Sequence, residues 1–434
     1  MQDQHINKTT RYFFVKEYSA SLILLMSVLI AMVWVNSPWK NIYHHIWDTH
    51  FAISLNGKSL DQPLLHWIND GLMAIFFFVI GLELKREFMA GELSTFKKAS
   101  LPMIAALGGM IMPALIYFLI NKNLSSVRGW GIPMATDIAF AIGLLSLAGK
   151  NVPLSLKIFL TALAVVDDLG AVFVIAFFYS SNISFLNLAI ALVFVILLIS
   201  GNLAGIRGIL FYLIVGFLGV WLTFLLSGIH ATIAGILVAF TIPARTKINE
   251  NVYLRRIKQL TNEFEKEVPL NSSLTTHEQH IIIEKIKKVS QDAETPLQKL
   301  EFLLKPWVSF LIMPIFALAN SGIIINSNFT NEIQNPISVG IGIGLVIGKF
   351  FGIFLFTWLA VFFKISSLPQ EINWFHIAGV ALIAGVGFTM SLFITELAFD
   401  DVEMIRKAKY GILLASVTAG NLGVILLRRI KTTR

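Results

Sequence analysis

Long apolar stretches recur about every 25 to 35 residues from Ser19 to Leu427, and a chain with this pattern has few ways to fold. Each stretch approaches the roughly 20 residues that a helix needs to cross bilayer hydrocarbon. Backbone polar groups at that depth must be satisfied within the protein, which favours helices as the spanning units. The 434 residues are 56% hydrophobic and 14% charged, against roughly 25% charged in an ordinary soluble fold. The fold class read from this is an all-α polytopic membrane protein, residues 1–434 forming a single transmembrane domain.

About twelve transmembrane helices are expected, at 19–36, 65–84, 101–120, 130–148, 154–179, 183–200, 208–226, 229–243, 303–324, 337–362, 375–396 and 408–427. The first apolar run ends at Asn36-Ser37-Pro38 without a small-residue cleavage motif, so a retained helix is expected rather than a signal peptide. An even number of spans puts both termini on one side. Loops on that side carry 26 Lys and Arg against 7 on the other, or 15 against 7 without the long loop, so both termini are predicted cytoplasmic. The remaining basic residue, Lys349, lies inside a span.

Charge is concentrated between spans eight and nine, where residues 245–305 hold 20 of the 60 charged side chains. A long charged cytoplasmic loop is therefore expected at 245–302. Within it, His280 to Val289 has helical apolar spacing with lysines opposite. That pattern suits a surface amphipathic helix or, more simply, a solvated helical hairpin.

The net charge of +8 does not point to nucleic acid, because no basic stripe interleaved with aromatics is present. The absence of cysteine excludes a disulfide frame, thiolate catalysis and Cys-based metal sites. Nine scattered histidines show no metal-ligand spacing, and His230 reads as a helix-terminus hydrogen bonder. Gly340, Gly342, Gly344 and Gly348 sit in an apolar run with no preceding strand, which excludes a phosphate loop. No cofactor and no enzymatic activity are expected, and the partners are membrane lipid and small cations.

Ionisable residues at membrane depth are functional candidates by default, because each costs several kcal/mol unless paired or hydrated. Asp137 lies in the fourth span, Asp167 and Asp168 are adjacent in the fifth, and Lys349 interrupts the tenth. Three carboxylates and one ammonium suggest a cation site, the structural alternative being a cluster that merely locks helices together. Neighbours on a helix point about 100° apart, so one aspartate can pair with Lys349 while the other stays available. Burial and like charge make a carboxyl hold its proton more tightly, which lets protons and sodium compete for it. Hard alkali cations want oxygen ligands, which the aspartates, the Thr136 hydroxyl and free backbone carbonyls supply.

Backbone irregularity falls in the same places. Gly131, Pro133 and Thr136 interrupt the fourth span, and Gly379, Gly385 and Gly387 the eleventh. Two interrupted spans seven apart suggest inverted-topology repeats, spans 3–5 matching 10–12. Unwound half-helices would expose dipole ends that Asp137 and Lys349 have the signs to neutralise.

Seven segments together resemble the NhaA-type sodium/proton antiporters of bacterial inner membranes: GLELKRE (81–87), MATDIAFAIG (134–143), VDDLGA (166–171), GIHATIAG (228–235), ALANSGI (317–323), IGKFFGI (347–353) and GVGFTMSLF (385–393). The resemblance implies a twelve-span fold with two crossed discontinuous helices, 4 and 11. It also implies electrogenic, pH-regulated exchange of protons for sodium or lithium, Asp168 as principal cation ligand and Asp167 as its proton-carrying neighbour, salt-bridged to Lys349. Thr136 and Asp137 would lie at the crossing. Glu83, Arg86, Glu87 and Glu301 match a cytoplasmic mouth associated with pH response, to which His230 is added. The external loop 37–63, alternating around Phe51 to Leu55, would form a hairpin as in the family's dimers and so implies a homodimer.

The chain departs from the pattern at Phe302 and Lys305, where a family member that it resembles carries histidines, at Phe350, where a proline often follows the buried lysine, and in its longer loop between spans eight and nine. A pH-sensing role of imidazoles at those positions therefore does not transfer. An intramembrane aspartyl protease is disfavoured because its Tyr-Asp and Gly-x-Gly-Asp signatures are absent. A cation channel, or a proton-coupled transporter of another small ion, stays open as the alternative.

Overall fold

A computed structural model describes residues 2–55, 58–149, 152–180, 183–267, 274–325, 329–369 and 371–430, with side chains from residue 19 onward except at 53, 55 and 58–60. It is helical almost throughout. Helix α1 (Gln2–Val35) is followed after a turn of 114° by α2 (Lys40–Asp48). Strands β1 (His50–Leu55) and β2 (Lys58–Pro63) then pair antiparallel, His50 opposite Pro63 and Leu55 opposite Lys58. The hairpin expected around Phe51 to Leu55 is thus formed.

The remaining apolar segments follow in chain order. They are α3 (Leu64–Ala90), α4 (Phe96–Asn121), a 3-10 segment (Ser125–Met134) leading to α5 (Ile138–Leu147), α6 (Leu154–Phe178), α7 (Phe185–Leu203), α8 (Ile209–Leu225) and α9 (Thr232–Thr241). After two charged helices, α10 (Glu250–Lys266) and α11 (His277–Ala293), come α12 (Pro296–Asn320), α13 (Pro336–Phe362), α14 (Trp374–Ile383), α15 (Phe388–Ala398) and α16 (Val402–Arg429). Among the described residues seven helices are long and apolar enough to cross a membrane, and ten crossings result if each bent pair counts as one. The seventh and eighth expected spans are the shorter helices α8 and α9, and the 10 residues of α9 cover about 15 Å of a hydrocarbon layer about 30 Å thick.

The loop to residue 302 holds the helical hairpin that its apolar spacing suggested, and the helix containing the ninth apolar run begins several residues before that run. Thr295 accepts a hydrogen bond from the Gln298 N–H at 3.1 Å and Pro296 occupies the first turn. Thr-Pro is a helix-start signal, and it outweighs the charges of Lys299, Glu301 and Lys305, which lie within α12.

Outward faces are apolar where a membrane helix needs them to be. On α7, Leu192 is 59% and Val193 64% exposed, a surface that lipid covers and water would not. The chain is a multi-pass membrane protein. Inside, small residues let backbones approach, the usual means of packing helices when lipid is as apolar as the side chains. A Cβ on Gly81 of α3 would stand 2.7 Å from the Ala239 Cβ of α9, and one on Gly235 of α9 would meet the Ala74 carbonyl of α3. Gly108 of α4 and Gly352 of α13 face each other so closely that a Cβ on either would strike the other's carbonyl oxygen. This contact brings α13, and with it Lys349, against α4.

The α4–α13 contact yields a direct test. Gly352→Val places a side chain on the Gly108 backbone, which cannot yield as a flexible side chain would, and overpacking of this kind costs about 1–3 kcal/mol or more. The expected result is a lower thermal midpoint in detergent, read by fluorescence-detected size exclusion. Gly342→Ala, where nothing lies within 4 Å of the added carbon, should leave the midpoint unchanged.

Candidate cation-binding site

Two of the apolar spans are broken in the same way. The 3-10 segment and α5 meet at 47°, as do α14 and α15. Between the first pair Ala135 and Asp137 are extended (φ −76°, ψ 146° and φ −86°, ψ 99°). The unwound groups find each other: the Asp137 N–H donates to the Val386 carbonyl at 2.7 Å, and the Ser391 hydroxyl donates to the Ile132 carbonyl at 2.9 Å. Gly387 permits the approach, since a Cβ there would lie 2.8 Å from the Ala135 carbonyl oxygen.

Asp137 serves both half-helices that leave the break. Its Oδ1 accepts from the Phe140 N–H at 3.1 Å at the start of α5, and its Oδ2 accepts from the Thr389 N–H at 2.9 Å and from the Thr389 hydroxyl at the start of α15. A carboxylate between two helix N-termini satisfies orphan donors and offsets two positive dipole ends.

Asp167 and Asp168 lie on α6, and Lys349 on α13 directly after a π-helical turn at Gly344–Gly348. The Lys349 ammonium donates to Asp167 Oδ2 and, at 2.9 Å, to the Thr136 hydroxyl oxygen. That hydroxyl lies 2.6 Å from Asp167 Oδ2 and 2.9 Å from the Ala384 carbonyl, so its single proton is shared between them. Thr136 therefore ties the ion pair to both breaks. A Cβ on Gly109 would lie 2.9 Å from Ile353 Cγ1, so the bare glycine lets α13 lie close against α4 one turn beyond Lys349.

Asp168 is 1% exposed, and among the described residues neither of its carboxylate oxygens has a hydrogen-bond partner; Asp167 Oδ1 is also unpartnered. Buried polar atoms are nearly always satisfied, and one that is not needs an explanation. No group of three or more His, Asp or Glu converges to hold a metal among the described residues. Phe350, one residue beyond Lys349, stacks on Phe354 with ring centroids 5.9 Å apart and α13 continues through it.

A second charged cluster joins the C-terminal turns of α3 to the first turns of α12. Lys305 donates to Glu83 Oε1 at 2.8 Å, Arg86 Nε to both Glu301 oxygens at 3.1 Å, and Arg86 Nη1 is 2.8 Å from Glu87 Oε1. Glu87 Oε2 also accepts from the Glu92 N–H at 2.9 Å. Four of the five residues assigned to the mouth, Glu83, Arg86, Glu87 and Glu301, meet here, together with Lys305. His230 does not. Its Nε2 lies 3.0 Å from the Tyr179 carbonyl, before the start of α9, while the other end of α9 is held by Lys85, whose ammonium donates to the Phe240 and Ile242 carbonyls at 2.6 and 2.5 Å.

The sequence reading passed over Thr389, Ser391 and Lys85. A faint signal for the first existed, a hydroxyl two residues after Gly387, in the turn where a half-helix must restart. Lys85 had none, because its partners are backbone carbonyls some 155 residues away.

Comparison with known proteins places the sequence in a family. Residues 11–427 match the family described as Na+/H+ antiporter 1. A protein named Na(+)/H(+) antiporter NhaA from Acidithiobacillus ferrooxidans is 46% identical over 417 residues, 94% of each chain. One of the same name from Koribacter versatilis is 45% identical over 95% of this chain and 90% of its own. A third, named Na(+)/H(+) antiporter NhaA 2, from Syntrophotalea carbinolica, is 44% identical over 96% of this chain and 95% of its own. The chain belongs to the Na+/H+ antiporter 1 family.

Proposed function

We propose that the protein exchanges sodium or lithium for protons across a bacterial inner membrane, electrogenically and under pH control, with both termini in the cytoplasm. The observation that carries the reading is the buried Asp168 carboxylate, unpartnered on both oxygens and next in sequence to Asp167, whose pair with Lys349 is tied through Thr136 to both helix breaks. A carboxylate in that setting must take a proton or a cation. The two compete for one place, and competition for one place on alternating sides of the membrane is exchange.

Asp168 is assigned as principal cation ligand and Asp167 as the group whose bond to Lys349 is released when sodium enters. Thr136 adds a hydroxyl oxygen, and Asp137 holds the two half-helices whose breaks border the site. Rising cytoplasmic pH removes the competing proton and favours sodium loading from inside. Glu83, Arg86, Glu87 and Glu301, with Lys305, form the cytoplasmic approach and adjust that response; His230 stands outside this approach and is assigned no part in it.

The reading is tested by sodium-induced collapse of an imposed pH gradient in inverted membrane vesicles. Sodium and lithium should collapse the gradient and potassium should not. Asp168→Asn and Asp167→Asn should each bring the response to the level of vesicles without the protein, and wild-type flux at saturating sodium in either variant would overturn the assignment. Lys349→Ala leaves Asp167 buried without its partner, at a cost of about 3–5 kcal/mol, so a lowered thermal midpoint is expected together with a displaced pH profile. Glu87→Ala should shift the pH at which exchange begins while retaining measurable flux in the same vesicles.

A further inference from the structure

The helices α10 and α11 form a hairpin that no part of the exchange chemistry uses. They pack on each other through buried Leu260 and Ile282, and the Tyr253 and Ser290 hydroxyls meet at 3.4 Å. The base is closed by the Lys247 and Ile248 N–H groups donating to the Asp292 carbonyl at 3.0 and 3.3 Å. It stands directly on two membrane helices: α9 ends at Thr241, α12 begins at Pro296, and the Leu297 N–H donates to the Pro243 carbonyl at 3.1 Å.

Charge on the hairpin is polarised along its length. The base half, residues 247–258 and 284–294, carries seven basic and four acidic side chains, whereas residues 259–283 carry one basic and four acidic. Arg255, Arg256, Lys258, Lys285 and Lys288 are exposed and, among the described residues, make no ion pair. Two of the four base acids are engaged, Asp292 with Lys247 and Glu284 with Lys287. Arg255 and Lys288 each lie five residues from the base ends of their helices, about 8 Å along the axis, which is about one screening length in physiological salt. Leu254, 48% exposed, adds an apolar group on the same turn of α10.

We propose that the base of the α10–α11 hairpin is a docking surface for the anionic phospholipid headgroups of the membrane from which it emerges. The hairpin as a whole, residues 247–294, has as many acidic as basic side chains, so a free polyanion meets no net attraction. A surface fixed at the base end meets only the positive half, while the acidic tip is repelled outward. Basic groups held next to a membrane span are attracted by anionic lipid within a screening length.

The chain has no cysteine, so one introduced thiol reports one place. The full chain carrying Gln291→Cys at the base, or Asn262→Cys nearer the tip, is labelled with a fluorophore and placed in nanodiscs of phosphatidylcholine or of phosphatidylcholine with a third of phosphatidylglycerol. Quenching by neutral acrylamide is the readout. At Gln291→Cys the quenching constant should fall at least about twofold in the anionic discs and recover in about 1 M salt, where the screening length is about 3 Å. At Asn262→Cys it should not change. Replacing Arg255, Arg256, Lys258, Lys285 and Lys288 together by Gln should abolish the difference at Gln291→Cys. Equal quenching in both discs, or protection that survives high salt, overturns the proposal. The salt arm uses the native charges and so does not depend on how the five-fold variant folds.

Discussion

A peptide group unwound in hydrocarbon has no water to bond, and an unpaired N–H or C=O there costs several kcal/mol. That constraint decides where the two broken helices lie. Residues 135–137 and 384–387 stay unwound because they satisfy each other: Asp137 N–H on the Val386 carbonyl, the Thr136 hydroxyl on the Ala384 carbonyl, the Asp137 carboxylate on the first turns of both α5 and α15. Neither break is tenable alone. Gly387 follows from the same demand, because a Cβ there would lie 2.8 Å from the Ala135 carbonyl oxygen, whereas Gly385 makes room for the Leu345 carbonyl of α13.

The charges follow from the breaks. Lys349 reaches the junction only because α13 lies on α4 with bare glycines at the contact, and once there it meets Asp167 and Thr136 rather than a helix end directly. A buried ion pair is weak evidence for stability, since apolar residues of similar size often do as well. What distinguishes this pair is its neighbour. Asp168 sits about 100° around α6 from Asp167, out of hydrogen-bonding reach of the lysine that neutralises Asp167, and keeps an unpartnered carboxylate in the same enclosure. The two adjacent acids differ in partner although they share a helix turn.

How much of this was legible in the sequence depends on the range of the interaction. Carboxylates and a lysine inside apolar runs are visible in one dimension, and so are Gly and Pro where a span should be regular; these located Asp137, Asp167, Asp168, Lys349 and both breaks. The 100° argument stated that only one aspartate could face Lys349, but the rotation of α6 against α13 is set by packing, and that selected Asp167. Hydropathy places the apolar run from 303, past Lys299 and Glu301, while Thr295-Pro296 marks locally where the helix itself starts. The shortness of α9 was hidden for a related reason: residues 242–243 extend its apolar run beyond the helix that the carbonyls of 240 and 242 hand over to Lys85.

The last two turns of α3 show how one segment can serve several neighbours. Successive residues on a helix point in different directions, and Glu83, Lys85, Arg86 and Glu87 use this to hold α12 through Lys305, the end of α9 through its carbonyls, α12 again through Glu301, and the following turn through the Glu92 N–H. Arg86 engages Glu301 with one nitrogen and Glu87 with another, so α12 cannot move away from α3 without breaking charge-assisted bonds at both Glu83 and Arg86. Lys305 makes this connection direct in a chain that lacks histidine at that position. The lysine ammonium at 305 and the guanidinium of Arg86 thus hold the start of α12 to α3 through two separate carboxylates, Glu83 and Glu301.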